Sequence, residues 1–294
     1  MYEDIKRNKM KSNIVVFSFL ALITCAVYFV CYMLDLGELS IIIAFGFSIA
    51  STVATYYNCD KIVLESVRAR EATREEDLKL TNILDSLMIT ADLPAKPRLY
   101  VIDSNQPNAF ATGRNPENAI ICVTTALLDK LDYYELEAVV AHELAHVKNY
   151  DIRLSAVLSV MVGFIVMLSD FCLRRRIRVS RDNDSDSKGN TIVLIIGLVF
   201  LILSPIFSEI IQLAVSRRRE FLADATAVSF TRNPDGLVSA LQKLEADDNI
   251  LDTSSKSNAH MYIVTPLKNK REKSNIFSTH PSIEQRVDAI RNLQ

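Results

Sequence analysis

The sequence predicts a mainly α-helical membrane protein in which four hydrophobic helices, set in two hairpins, accompany a soluble unit with a small β-sheet. Two uncharged apolar runs stand near the N-terminus and two more lie past the middle of the chain. The segments between and after them show the periodicity of packed helices, with two short β-rich runs among them.

Composition narrows the function classes. The 294 residues are 49% hydrophobic, and the mean hydropathy of +0.16 suggests that apolar residues are gathered into blocks. Lys and Arg number 33 against 35 Asp and Glu, a net charge of -2. No global basic field exists to neutralise phosphates, so a nucleic-acid partner is excluded. The 5 cysteines, Cys25, Cys31, Cys59, Cys122 and Cys172, are odd in number, widely spaced and without a C-x-x-C pair. They support neither a disulfide framework nor a cysteine-based metal knuckle.

Residues 1–58 read as a transmembrane hairpin. Residues 14–34 and 39–58 carry no charge, and each reaches the ~20 residues needed to cross a bilayer. Lys6, Arg7, Lys9 and Lys11 precede the first run, which is longer than a secretory h-region and lacks a small-residue cleavage site. An uncleaved anchor is expected. Asp35, Leu36, Gly37 and Glu38 leave room only for a turn, while Lys61, Arg68, Arg70 and Arg74 follow the second run, so both outer ends belong on the cytosolic side.

Residues 59–153 form the first part of the soluble unit. Leu80, Ile83, Leu84 and Leu87 recur at i, i+3, i+4 and i+7, which predicts a helix with one buried face. The runs 98–102 and 119–124 are β-rich and separated by an Asn, Gly and Pro cluster over 105–118, which predicts a small antiparallel sheet. Asp132 followed by Glu135 marks a helix start with a reciprocal cap, and Leu136, Val139, Val140 and Leu144 continue with helical period.

Residues 154–215 form the second hydrophobic hairpin. The run 154–169 is uncharged before Asp170; the run 191–208 contains Pro205 and precedes Glu209. The loop between them holds Arg174, Arg175, Arg176, Arg178 and Arg181, which favour the cytosolic side. Either the hairpin crosses and tolerates that loop, partly offset by Asp182, Asp184 and Asp186, which is the expectation, or it is re-entrant or interfacial and never fully crosses. Asp170 and Glu209 lie near the ends of their runs, where a structural role suffices. Residues 216–294 complete the soluble unit.

The chemistry is concentrated on the helix that begins near Asp132. His142-Glu143-Leu144-Ala145-His146 is an H-E-x-x-H pattern, and residues four apart share a helix face, so both imidazoles converge on one ion with Glu143 beside them. Two histidines and a carboxylate among Ala141, Ala145 and Val147 would be costly unless they hold something. Catalytic zinc takes three protein ligands and leaves a position open. Asn149 and Ile152 occupy the positions where a third histidine pattern would continue, so a downstream carboxylate is needed. Glu220 is the best candidate, with Asp224 one turn on to accept the free N–H of a ligand histidine.

Four segments give the sequence a specific resemblance: 107–113 (Pro-Asn-Ala-Phe-Ala-Thr-Gly), 136–146 with the H-E-x-x-H, 216–224 (Ser-Arg-Arg-Arg-Glu-Phe-Leu-Ala-Asp) and 277–281 (Phe-Ser-Thr-His-Pro). In order and spacing they resemble the HtpX family of membrane-bound zinc metalloproteases, relatives of the type I CAAX prenyl proteases within the gluzincins. The departures are Ala126-Leu127 for a frequent Gly-Leu, and Ser282 for a second proline.

The resemblance implies a gluzincin-type protease domain with one Zn2+ per chain on His142, His146 and Glu220, Glu143 as base and Asp224 behind the ligands. It adds Asn108, Ala109 and Phe110 as an edge strand that aligns an extended substrate peptide, and His280 as an aid to the oxyanion; His260 belongs to no motif. It also implies a multi-pass protein of the bacterial cell membrane, its site facing the cytoplasm, that cuts damaged or misassembled membrane proteins. A zinc-stabilised scaffold or sensor is disfavoured because structural sites are closed by four ligands and only three are found. A prenyl-protein protease is disfavoured by the small number of hydrophobic runs.

Overall fold

The computed structural model describes residues 2–33, 37–161, 217–249, 261–264 and 281–293. Helices α1 (Tyr2–Met33) and α2 (Leu39–Ser66) pack against each other as a hairpin. The buried positions of α2 begin with Ser40, Ala44, Ser48 and Thr52, a stripe of small residues at i, i+4 spacing that lets two helices approach closely. Ile41, Ile42, Phe45, Phe47 and Ile49 point outward. Among the described residues α2 is the one helix long and apolar enough to cross a membrane. It also runs past the apolar segment: Cys59, Val63 and Leu64, in its last turns, and Val67 just beyond them pack on the sheet.

Four strands follow: β1 (Arg70–Glu71), β2 (Arg98–Ile102), β3 (Ala109–Thr112) and β4 (Ile120–Thr124), in the order β1-β2-β4-β3. The antiparallel pairing expected between 98–102 and 119–124 is corrected: β2 and β4 run parallel, and antiparallel partners flank them on both sides. The cause is the intervening segment. It contains β3, which turns back against β4, so the chain reaches β4 by a crossover and in the direction of β2. Gly113 makes the sharp exit from β3 at φ +143°, where a Cβ would lie 2.5 Å from the Asn118 carbonyl oxygen.

Both sheet faces are covered, which is why β4 reads as apolar at nearly every position. Ala109, Ala111, Ile121 and Val123 face the main core; Phe110, Ile120 and Cys122 face α2 and residues 156–160. The main core is built by α3 (Arg74–Ala91), carrying the predicted Leu80, Ile83, Leu84 and Leu87, with α5 (Tyr133–Lys148) near its centre. Short α4 (Thr125–Lys130) leads into α5. The predicted reciprocal cap opens α5: the Glu135 amide donates to Asp132 Oδ1 at 3.0 Å and the Asp132 amide to Glu135 Oε2 at 2.9 Å. Tyr150, at φ +60°, ends the helix, and a new one, α6, occupies residues 151–161.

Helices α7 (Arg217–Thr231) and α8 (Pro234–Ala246) pack on α5, and α9 (Ile283–Arg291) packs on both of them. Ser282, where a proline is expected from the resemblance, is the N-cap of α9, bonded reciprocally with Gln285. Residues 162–216, which hold most of the second hydrophobic hairpin with Asp170 and Glu209, lie outside the described residues, as do His260 and His280.

Candidate metal centre

Helix α5 carries both imidazoles to one place. His142 and His146 sit at right angles with ring centroids 4.7 Å apart and their Nε2 atoms 3.2 Å apart. Glu220, in the first turn of α7, brings Oε2 to 3.8 Å from His142 Nε2 and Oε1 to 3.7 Å from His146 Nε2. Tetrahedral ligands with bonds of 2.0–2.1 Å stand about 3.3 Å from one another, so the three donors are close to the spacing that a small divalent cation requires. Among the described residues, His142, His146 and Glu220 are the group whose ligand atoms all fall within 4.8 Å.

Each imidazole is turned toward that point by a carboxylate on its other nitrogen. His142 Nδ1 donates to Asp224 Oδ1 at 2.9 Å, the partnership expected from the position of Asp224 one turn after Glu220. His146 Nδ1 donates to Asp151 Oδ2 at 3.0 Å, a contact absent from the sequence reading. Arg286 on α9 was missed too. Only 1% exposed, it grips Asp224 with Nε at 2.8 Å and Nη2 at 2.6 Å, and places Nη1 3.8 Å from Glu220. Its signal was an arginine on the apolar stripe of Ile283, Val287 and Ile290.

The charges leave room for a cation. Four carboxylates, Glu143, Asp151, Glu220 and Asp224, stand against two guanidiniums, Arg219 and Arg286, so a divalent ion with neutral imidazoles brings the cluster to neutrality. Burial opposes a charge on His146, but the hydrogen bond to Asp151 and the charges of Glu220 and Glu143 outweigh it and push the imidazole up to about 9. Burial alone would raise the Asp224 carboxyl; the Arg286 guanidinium holds it below the ordinary carboxylate range.

Glu143 lines the same pocket as the ligands, with Ala111, Ile152, Ser155 and Tyr262. Burial raises its carboxyl above the usual range, while the two histidines and the Ala111 backbone N–H favour the charged form. That amide connects the site to the sheet. β3 is an edge strand, and its groups at Asn108 bond toward β4, so those of Ala109 and Ala111 face outward.

Part of that edge is taken by the chain itself. The Ile263 amide donates to the Ala109 carbonyl at 3.0 Å, Asn108 Nδ2 donates to the Val264 carbonyl at 2.8 Å, and Phe110 meets Tyr262 edge to face at 5.0 Å. Asn108, Ala109 and Phe110 are therefore buried beside the site, and Ala111 is the β3 residue bordering its opening.

Known proteins resemble this chain in sequence and fold. Peptidase family M48 matches residues 74–294. A protease HtpX homolog of Dictyoglomus thermophilum is 42% identical over 294 residues, 99% of this chain and 94% of the relative. Those of Thermoanaerobacter pseudethanolicus and Listeria monocytogenes are 38% and 36% identical, each over 100% of this chain and over 98% and 100% of the relative. The fold is similar to the crystal structure of S. mikatae Ste24p, with a TM-score of 0.50 and 19% identity over 99% of this chain and 67% of that one.

Proposed function

The chain belongs to peptidase family M48 and is a metalloendopeptidase, and from that premise we propose that it is a zinc-dependent, membrane-anchored protease that cuts damaged or misassembled membrane proteins at the cytosolic surface. The observation that carries the reading is the convergence of His142, His146 and Glu220 on one point with Glu143 in the same pocket. Bound to those three donors, zinc would supply Lewis acidity, which makes water acidic near neutral pH and polarises a scissile carbonyl.

The chain's own groups do the rest. Glu143 takes the proton of the attacking water and returns it to the departing amine; burial raises its carboxyl above the usual range, which makes it a stronger base than an exposed glutamate. The Ala111 amide holds the Glu143 carboxylate in place. Asp224 and Asp151 keep each histidine in the tautomer that leaves Nε2 free. An extended peptide reaching the outer edge of β3 would pair with the Ala111 carbonyl, since the Ala109 carbonyl is taken by Ile263, the Ala109 amide by Asn108 Oδ1 and the Ala111 amide by Glu143. His280 is proposed as an oxyanion donor: His280→Ala should lower kcat without loss of zinc.

Membrane attachment is supported by α1 and α2. The small-residue stripe of α2 and the outward Ile and Phe side chains of the hairpin suit a membrane, and Lys6, Arg7, Lys9 and Lys11 favour an N-terminus on the cytosolic side. In this reading the metal centre lies on the same side, since α2 leads directly from its apolar run into the sheet.

The test is purification in detergent with chelator, followed by zinc addition and an unfolded reporter protein. The reading expects cutting only after zinc is supplied; chelator-resistant cutting, or none with zinc bound, would refute it.

A further inference from the structure

A fourth part of the chain reaches the metal centre. Asn8, on α1 and ahead of the apolar run, is 3% exposed. Its Nδ2 donates to Asp151 Oδ1 at 2.6 Å and to the Asn149 carbonyl at 3.0 Å. Both partners are pure acceptors, so only the NH2 end of the amide can point there, and both of its hydrogens are used. Asp151 in turn accepts from His146 through its other oxygen, Oδ2, at 3.0 Å.

The surrounding contacts bring the same helix to the same turn. The Lys9 ammonium lies 4.0 Å above the Tyr150 ring centroid, and Asn13 Oδ1 accepts from Arg153 Nη2 at 2.8 Å. Residues 8–13 of α1 are thus docked on residues 149–153, the turn that ends the H-E-x-x-H helix. Within that interface Asn8 is hydrogen-bonded to a group that is itself hydrogen-bonded to His146.

We infer that Asn8 is a positioning residue for His146, acting through Asp151, so that the N-terminal end of the membrane helix is a working part of the metal centre. The inference rests on the reading of His142, His146 and Glu220 as metal ligands. Its physical basis is the freedom of a carboxylate to turn about its own bond. With Oδ1 held by Asn8, Oδ2 stays on the imidazole. Of the charged groups near Asp151, Arg219 Nη1 lies 3.4 Å from Oδ1, outside good hydrogen-bond distance, and Lys11 of α1 adds its charge without a hydrogen bond among the described residues. A neutral amide fixes Asp151 without cancelling its charge, which a lysine would do and an aspartate would oppose.

The experiment uses the full chain in detergent and measures zinc affinity by chelator competition, together with thermal unfolding of the chelated protein. Asn8→Ala should weaken zinc binding by about tenfold, at the low end of the 10–100-fold typical of groups that orient metal ligands. Asn8→Asp, which sets a second carboxylate against Asp151, should weaken it further. Asn13→Ala and Lys9→Ala loosen the same docking without touching Asp151 and should leave zinc affinity within about twofold, although they lower the unfolding temperature as Asn8→Ala does. In an Asp151→Asn background, Asn8→Ala should have no further effect on zinc.

Should Asn8→Ala not fold, Asn8→Gln displaces the amide by one methylene and gives the same readout. Wild-type zinc affinity in the folded Asn8 variants, or equal losses in Asn13→Ala, would overturn the inference alone. A wild-type chain that takes up no zinc would overturn the metal reading and the inference with it.

Discussion

His142 and His146 have nearly the same first partner and very different support. Each gives its Nδ1 hydrogen to a carboxylate, at 2.9 Å and 3.0 Å. Behind His142, Asp224 is locked by two hydrogen bonds from buried Arg286, so this side is a closed ion pair supplied by the C-terminal helix. Behind His146, whose side chain is 15% exposed, Asp151 is held by the neutral amide of Asn8 and by the longer contact to Arg219. One imidazole is built into the folding core; the other is held by a docked helix. Damage on the first side should appear as lost stability, and damage on the second as lost metal affinity with the fold intact.

The largest effect belongs to the group between the two sides. Glu143→Gln removes the proton carrier and touches neither support, so kcat/KM should fall by about 10²–10⁴-fold with zinc content and unfolding temperature near wild type. Kinetics on a zinc-loaded variant check this, and substantial residual activity would remove Glu143 from the base role. Next comes Arg286→Ala, which leaves Asp224 buried without its guanidinium and, among the described residues, with only the His142 hydrogen bond; breaking such a pair costs about 3–5 kcal/mol. Denaturant unfolding of the chelated protein should show that loss, and Arg286→Lys should recover only part of it because an ammonium cannot make the two-pronged contact.

On the other side, Asp151→Asn should weaken zinc by about 10–100-fold while changing the stability of the chelated protein far less than Arg286→Ala. Equal stability losses at Arg286 and Asp151 would break the comparison. The smallest effect is a pH dependence. Asp224 titrates in the fold below its ordinary 3.8, so its contribution to stability is complete above that pH and is lost as pH falls through the folded value. The gap in unfolding temperature between wild type and Asp224→Asn, both chelated, should hold from pH 7 to 5 and close below about pH 3.8.

Much of this site was legible in residues close along the chain. The H-E-x-x-H spacing, the Asp132 and Glu135 cap, and Glu220 with Asp224 one turn later all depend on the geometry of single helices, and the structure places these side chains as that geometry requires. Asp151 was hidden because helical periodicity stops at Tyr150, whose positive φ swings the next residue back toward His146. Arg286 and Asn8 lie 144 and 134 residues from His142, and no local rule brings them there. The parallel pairing of β2 and β4 was misjudged for a related reason: a stretch rich in turn residues concealed β3, and strand direction follows from what lies between strands. The hairpin boundary at residue 58 marked the end of uncharged sequence, whereas α2 continues to Ser66 because its last turns are covered by protein.

The central claim is that a carboxylate on α7 joins two imidazoles on α5 around one ion. Zinc analysis of the purified full chain and of Glu220→Gln, after dialysis against a competing chelator, tests it most directly. Wild type should retain one zinc per chain and the variant, folded by its circular dichroism, almost none. Full zinc retention by Glu220→Gln would contradict the account.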